Sequence, residues 1–229
     1  MYLSKRNKLL FVAIPRTASN SVQKAILDSD ITDPTDVVYN LLSVTEKQNI
    51  KAYHSVPAML VDKNVLTAAE LSECTAFGFI REPFERWVSA IFLARHLELL
   101  DASVDPFDQI CDLVRSGPSP RPFLAADNAF TPEDYASFSY RDYFFIDDTQ
   151  VATAYRWDDA EAVTKSILED KLGTPVTAAF PNIQVNPNGV PVQFKEPIES
   201  WLPADCYAMM SNYFADETAF FNATPAFEA

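Results

Sequence analysis

Two segments of the chain pair a basic residue with the start of a helix, an arrangement suited to binding anions. The first runs Leu9-Leu10-Phe11-Val12-Ala13-Ile14-Pro15-Arg16-Thr17-Ala18-Ser19-Asn20-Ser21. Its apolar part, Leu9 to Ile14, reads as a buried strand, and after a short polar turn an amphipathic stretch from Ser21 to Leu27 reads as a helix. Backbone N–H groups at such a helix start, with Arg16 and the hydroxyls of Thr17, Ser19 and Ser21 beside them, form a ready anion site. The second segment runs Phe77-Gly78-Phe79-Ile80-Arg81-Glu82-Pro83-Phe84-Glu85-Arg86-Trp87-Val88-Ser89. Thr75 to Ile80 is again a short apolar run, Pro83 suits a first helical turn, and Phe84, Trp87, Val88 and Ile91 recur at helical spacing. Arg81 is therefore expected at a strand's carboxyl end, facing the crevice where open α/β sheets bind ligands.

The elements needed to hold these segments alternate. Beyond the first strand and helix, the pattern predicts a segment around Ala52–Val56, a short helix near Ala68–Glu73, the strand Thr75–Ile80, a long helix Pro83–Leu100 and a further helix Asp105–Arg115. Ser116-Gly117-Pro118-Ser119-Pro120-Arg121-Pro122 cannot continue a helix and reads as a surface loop, a candidate wall of a ligand site beside the crevice. Tyr143–Ile146 and Val151–Trp157 read as strands, Asp158–Leu172 as a helix capped by Asp158 and stopped by Gly173, Thr174–Pro197 as largely loop, and Pro203–Phe214 as a final helix. The alternation predicts a parallel sheet with helices on its faces.

The two segments resemble the paired cofactor motifs of sulfotransferases that use 3′-phosphoadenosine 5′-phosphosulfate. Residues Pro15 to Ser21 are similar to the family's 5′-phosphosulfate loop, Pro-Lys-Thr-Gly-Thr/Ser-Thr/Ser, and Arg81 to Ser89 match its 3′-phosphate motif, Arg-x-Pro-x-x-Arg-x-x-Ser. The resemblance implies a three-layer α/β/α fold with a central parallel sheet, related to P-loop nucleoside triphosphatases. It also implies donor binding by Arg16, Thr17, Ala18, Ser19, Asn20 and Ser21 at the 5′ end and by Arg81 and Ser89 at the 3′-phosphate. Arg86 fits a structural role better, bridging helix and sheet through a carboxylate. Val151 to Asp159 is similar to a later family strand ending in an aromatic-acid-acid turn, and Asn186, Lys195 and Tyr213-Phe214-Ala215-Asp216 resemble the family's C-terminal part. Aromatic residues of the later loops are expected to stack the adenine, with none singled out.

The implied reaction transfers a sulfonate by in-line displacement to a hydroxyl, less readily an amine, of a sugar or small molecule, releasing adenosine 3′,5′-bisphosphate; no metal is required. The attacking hydroxyl must lose its proton, and histidine titrates near the working pH. Of the two histidines, His96 falls late in the long helix beside Arg95, whereas His54 follows Tyr53 between the motifs, where the resemblance also implies an acid-base histidine. His54 is the expected base, joined by Arg16 as a catalytic group, with Glu46, Asp28 and Asp62 as unranked alternatives. Two departures stand out. Arg16 replaces the usual Lys, keeping the charge and gaining a planar donor fork but losing the compact ammonium. Ser19 is read as replacing a common Gly, so that a position tolerant of positive φ carries a side chain. Two rival classes share parts of the logic: a non-catalytic nucleotide-binding relic of the fold, and a nucleotide kinase, against which the lack of Gly-x-x-x-x-Gly-Lys-Ser/Thr counts.

Composition bounds the rest. A chain of 229 residues with 48% hydrophobic content suits one enzyme-sized domain spanning 1–229. No apolar run reaches bilayer length, and Met1 to Lys8 leads into the first strand without a signal-peptide pattern, so a cytoplasmic protein is expected. Cys74, Cys111 and Cys206 lack metal-ligand spacing and are expected to be reduced and buried. A formal charge of −14 argues against nucleic acid or a polyanionic glycan as partner, since its field repels both.

Overall fold

The computed structural model describes residues 1–32, 37–38, 56–96, 101, 103–115, 139–177, 180, 200 and 202–228. In chain order the elements are β1 (Tyr2–Ser4), β2 (Leu9–Val12), α1 (Ser19–Leu27), β3 (Val37–Val38), α2 (Pro57–Asp62), α3 (Ala68–Ser72), β4 (Thr75–Ile80), α4 (Pro83–His96) and α5 (Pro106–Arg115). Then follow α6 (Tyr140–Phe144), β5 (Phe145–Ile146), β6 (Thr149–Gln150), β7 (Thr153–Arg156), α7 (Ala160–Leu172), α8 (Ala204–Tyr213) and α9 (Ala215–Ala223). They divide into two compact units, each discontinuous in sequence: Met1–Arg81, Phe138–Ile183 and Asn222–Ala229 form the first, Glu82–Ser137 and Gln184–Phe221 the second.

The first unit is a mixed α/β structure. Its five-stranded sheet runs β3-β1-β2-β4-β7; β2, β4 and β7 are parallel, and β1 is antiparallel to both of its neighbours. The parallel expectation thus holds for the three strands that carry the motifs. The antiparallel β1 comes from Met1 to Lys8, read from sequence only as a lead-in; a turn closed by Lys8 at φ 48° folds it back onto β2. All four residues of β2 are buried, as a strand covered on both faces requires. Phe11, Phe77 and Phe79 lie on one face and pack with Val22 and Ile26 of α1 and Val163 and Leu168 of α7.

On the opposite face Gly78 meets Phe144 of α6. A Cβ at Gly78 would stand 2.8 Å from the Val12 carbonyl oxygen and 3.3 Å from the Phe144 ring, so the strand and helix approach only because no side chain intervenes. Gly78→Ala is expected to cost about 1–3 kcal/mol in denaturant unfolding. An unchanged midpoint would mean that β2 yields at this point.

Several boundaries differ from the sequence reading, for local reasons. Tyr143–Ile146 is not one strand: helix α6 runs to Phe144, and only Phe145–Ile146 pairs, with Thr149–Gln150. The cause is a capping box, in which the Asp142 backbone N–H donates to Ser139 Oγ and the Ser139 N–H to the Asp142 carboxylate. A 3-10 turn, Trp157–Asp159, precedes α7, which has no side-chain cap, so Asp158 does not cap it; Gly173 at φ 66° ends it as expected. Of Thr174–Pro197 only residues 174–177 and 180 are described, and Ser116 to Pro122 lies outside the described residues.

The second unit is helical among its described residues. Phe84, Trp87, Val88 and Ile91 of α4 form one face that meets Ile110 and Cys111 of α5 and Cys206 and Met210 of α8 in a single apolar cluster with Leu202 and Phe214. The cysteines are free; Cys111 and Cys206 are buried, but Cys74 is only half-buried. Burial and the adjacent Cys111 push the Cys206 thiol up to about 12, so it stays protonated at neutral pH.

Candidate functional site

The first candidate segment leaves β2 at its carboxyl end. Arg16 and Ala18 both adopt left-handed backbone, at φ 65° and 60°, with Thr17 between them. Non-glycine residues avoid this region, and such strain concentrates where a loop must present its backbone to a ligand. Two side chains hold the turn: Thr17 Oγ1 donates to the Ile14 carbonyl at 2.9 Å, and Ser19 Oγ donates to the same oxygen. Helix α1 therefore begins at Ser19, two residues before the expected start, with Ala18 as an N-cap that offers no side-chain oxygen. The first N–H groups of a helix have no carbonyl partner within it, so this end is suited to an anion.

This geometry corrects two expectations. The positive-φ position is Ala18, not Ser19, which is already helical. The hydroxyls of Thr17 and Ser19 are committed to the Ile14 carbonyl, and so shape the loop from beneath. Ala18→Gly is accordingly expected to leave stability unchanged or raise it by up to about 1 kcal/mol, because relief of the left-handed strain offsets the added chain entropy. Ser19→Gly should cost about 1–2 kcal/mol through the lost hydrogen bond and helix propensity. Paired unfolding curves check this, and the reverse order would put the strained position at Ser19.

Arg81 follows β4, the parallel neighbour of β2, with Val12 opposite Gly78 in the register. It is the last residue of the first unit and only 4% exposed. Its guanidinium carbon lies 4.8 Å from the centre of the Trp157 ring, and both of its backbone groups meet the Tyr140 hydroxyl. Trp157 follows β7, the next parallel strand, where Ile80 pairs with Arg156. The carboxyl ends of three adjacent parallel strands thus carry the Arg16 loop, Arg81 and Trp157. Neither Tyr140 nor Trp157 was singled out from sequence as a partner of Arg81, since nothing in local spacing marks a contact across tens of residues.

Ser89 and Arg86 lie on α4 in the second unit, Ser89 partly buried. Arg86 pairs at 3.7 Å with the Glu217 carboxylate on α9, helix to helix. His54 and Glu46 lie outside the described residues, as do Asn186 and Lys195. Asp28 forms an exposed pair with Lys24 at 2.8 Å, and Asp62 is exposed at the end of α2. Among the described residues no group of His, Cys, Asp and Glu is placed to hold a metal, and no helix is long and apolar enough to cross a membrane.

No curated protein and no solved structure matches the chain. A family model does: residues 1–98 match that of the sulfotransferase family, a stretch that contains both motifs and β1, β2 and β4. Over residues 1–98, less than half of its length, the chain is thus similar to the sulfotransferase family.

Proposed function

We propose that the protein transfers a sulfonate from 3′-phosphoadenosine 5′-phosphosulfate to the hydroxyl, less readily the amine, of a small-molecule or carbohydrate acceptor. The observation that carries this reading is the delivery of the Arg16 loop and buried Arg81 by adjacent parallel strands at their carboxyl ends. Both are cationic or rich in N–H donors, which suits a nucleotide bearing anionic groups at two positions. In a chain of formal charge −14, they offer local attraction against a repulsive background.

When bound, the donor supplies the sulfonate and the leaving 5′-phosphate. Arg16 and the backbone N–H groups of Thr17 to Ser21 hold the 5′ end and stabilise charge growing on the leaving oxygen, a preorganised electrostatic role. Arg81 holds the 3′-phosphate, which sets this donor apart from ATP; the share of Ser89 rests on motif spacing. His54 takes the acceptor's proton. The reading extends to one sulfotransferase domain over residues 1–229 of P-loop-like, three-layer architecture, acting in the cytoplasm and without nucleic-acid partners.

The test is incubation with donor and a panel of sugar and small-molecule alcohols. Sulfonated product by mass spectrometry, with stoichiometric adenosine 3′,5′-bisphosphate, is the expected result. Bisphosphate binding without transfer to any acceptor would indicate a nucleotide-binding relic, and phosphoryl transfer from ATP a kinase.

A further inference from the structure

We propose that Tyr140, outside the recognised segments, and Trp157, the aromatic residue of the aromatic-acid-acid turn, are positioning residues that fix Arg81 for the donor's 3′-phosphate; this rests on the donor reading above. Each acts on a different part of the arginine. The Tyr140 hydroxyl donates to the Arg81 carbonyl at 2.5 Å and accepts from the Arg81 N–H at 3.3 Å, so one group closes on both backbone atoms of the residue. That backbone has just left β4, which ends at Ile80. Tyr140 can serve as an anchor because it is itself fixed: it is fully buried and opens α6, whose start is locked by the Ser139–Asp142 capping box.

Trp157 acts on the side chain. The register that pairs Ile80 with Arg156 sets Arg81 and Trp157 next to each other where the two strands end. The indole face lies 4.8 Å from the guanidinium carbon and favours the cation over its ring. A guanidinium held over an indole ring loses rotamer freedom. Arginine prefixed in this way gives up less entropy when a phosphate arrives. Arg81 is only 4% exposed, and burial strengthens a charge-assisted bond.

The test compares adenosine 3′,5′-bisphosphate with adenosine 5′-monophosphate. The ratio of their affinities isolates the 3′-phosphate and is insensitive to a loss of folded protein, so a destabilised variant remains informative. Tyr140→Phe, which removes only the hydroxyl, is expected to lower the ratio by about 2–10-fold. Trp157→Leu should lower it by about 2–30-fold. In an Arg81→Ala background, neither substitution should lower it further. A wild-type protein with no preference for the bisphosphate overturns the donor reading and this proposal with it. A preference that survives both substitutions overturns the positioning role alone, as does an equal loss in the Arg81→Ala background.

Discussion

His54→Ala is expected to lower turnover by about 10²–10⁴-fold while donor affinity stays nearly intact. The imidazole takes a proton only when neutral, so the wild-type rate should rise with pH through a single ionisation and then level off; the variant should lose that rise. A thermal melt accompanies the comparison, because a histidine that merely ties down backbone would lower stability with little effect on the rate of the folded fraction. Near-normal turnover in folded His54→Ala protein would transfer the role to a carboxylate, Glu46 being the first to test, since Asp28 is engaged with Lys24 on the surface.

Replacing Arg16 should show the second large effect. If it stabilises charge that develops only as the sulfonate leaves, Arg16→Ala lowers turnover by about 10²–10³-fold and donor affinity by less. Arg16→Lys should retain or raise activity, because lysine at this place is what the family resemblance implies. The left-handed φ of 65° at position 16 is a property of the loop and is imposed on either side chain. Steady-state kinetics with separate kcat and KM checks this, and a Lys variant as inactive as the Ala variant would tie catalysis to the guanidinium fork itself.

The parts of the molecule legible in sequence are those governed by short-range rules. The run Thr75 to Ile80 is bounded by polar residues and followed by a proline suited to a first helical turn, and both the strand and the start of α4 fall where that pattern puts them. Gly173 ends α7 by its freedom at positive φ. Two local signals compete at one place: the aromatic run Tyr143 to Ile146 suggests a strand, yet Ser139-x-x-Asp142 upstream is a capping-box pattern and starts a helix. Alanine itself carries no signal for left-handed backbone, but the family loop Pro-Lys-Thr-Gly, laid over Pro15-Arg16-Thr17, puts its glycine at Ala18, and the Thr17 and Ser19 hydroxyls bonded to the Ile14 carbonyl hold the turn there. Long-range partners were illegible for a different reason. Tyr140 reaches Arg81 across 59 residues and Arg86 pairs with Glu217 between helices, contacts that arise from packing rather than periodicity.

The account stands on Arg81 as the reader of the 3′-phosphate, and calorimetric titration of wild-type and Arg81→Ala protein tests it most directly. With adenosine 3′,5′-bisphosphate, removal of a charge-assisted contact should weaken binding by roughly 1.5–3 kcal/mol, about 10–150-fold. With adenosine 5′-phosphosulfate, which lacks the 3′-phosphate, the change should be much smaller. Equal losses for the two ligands would contradict the assignment.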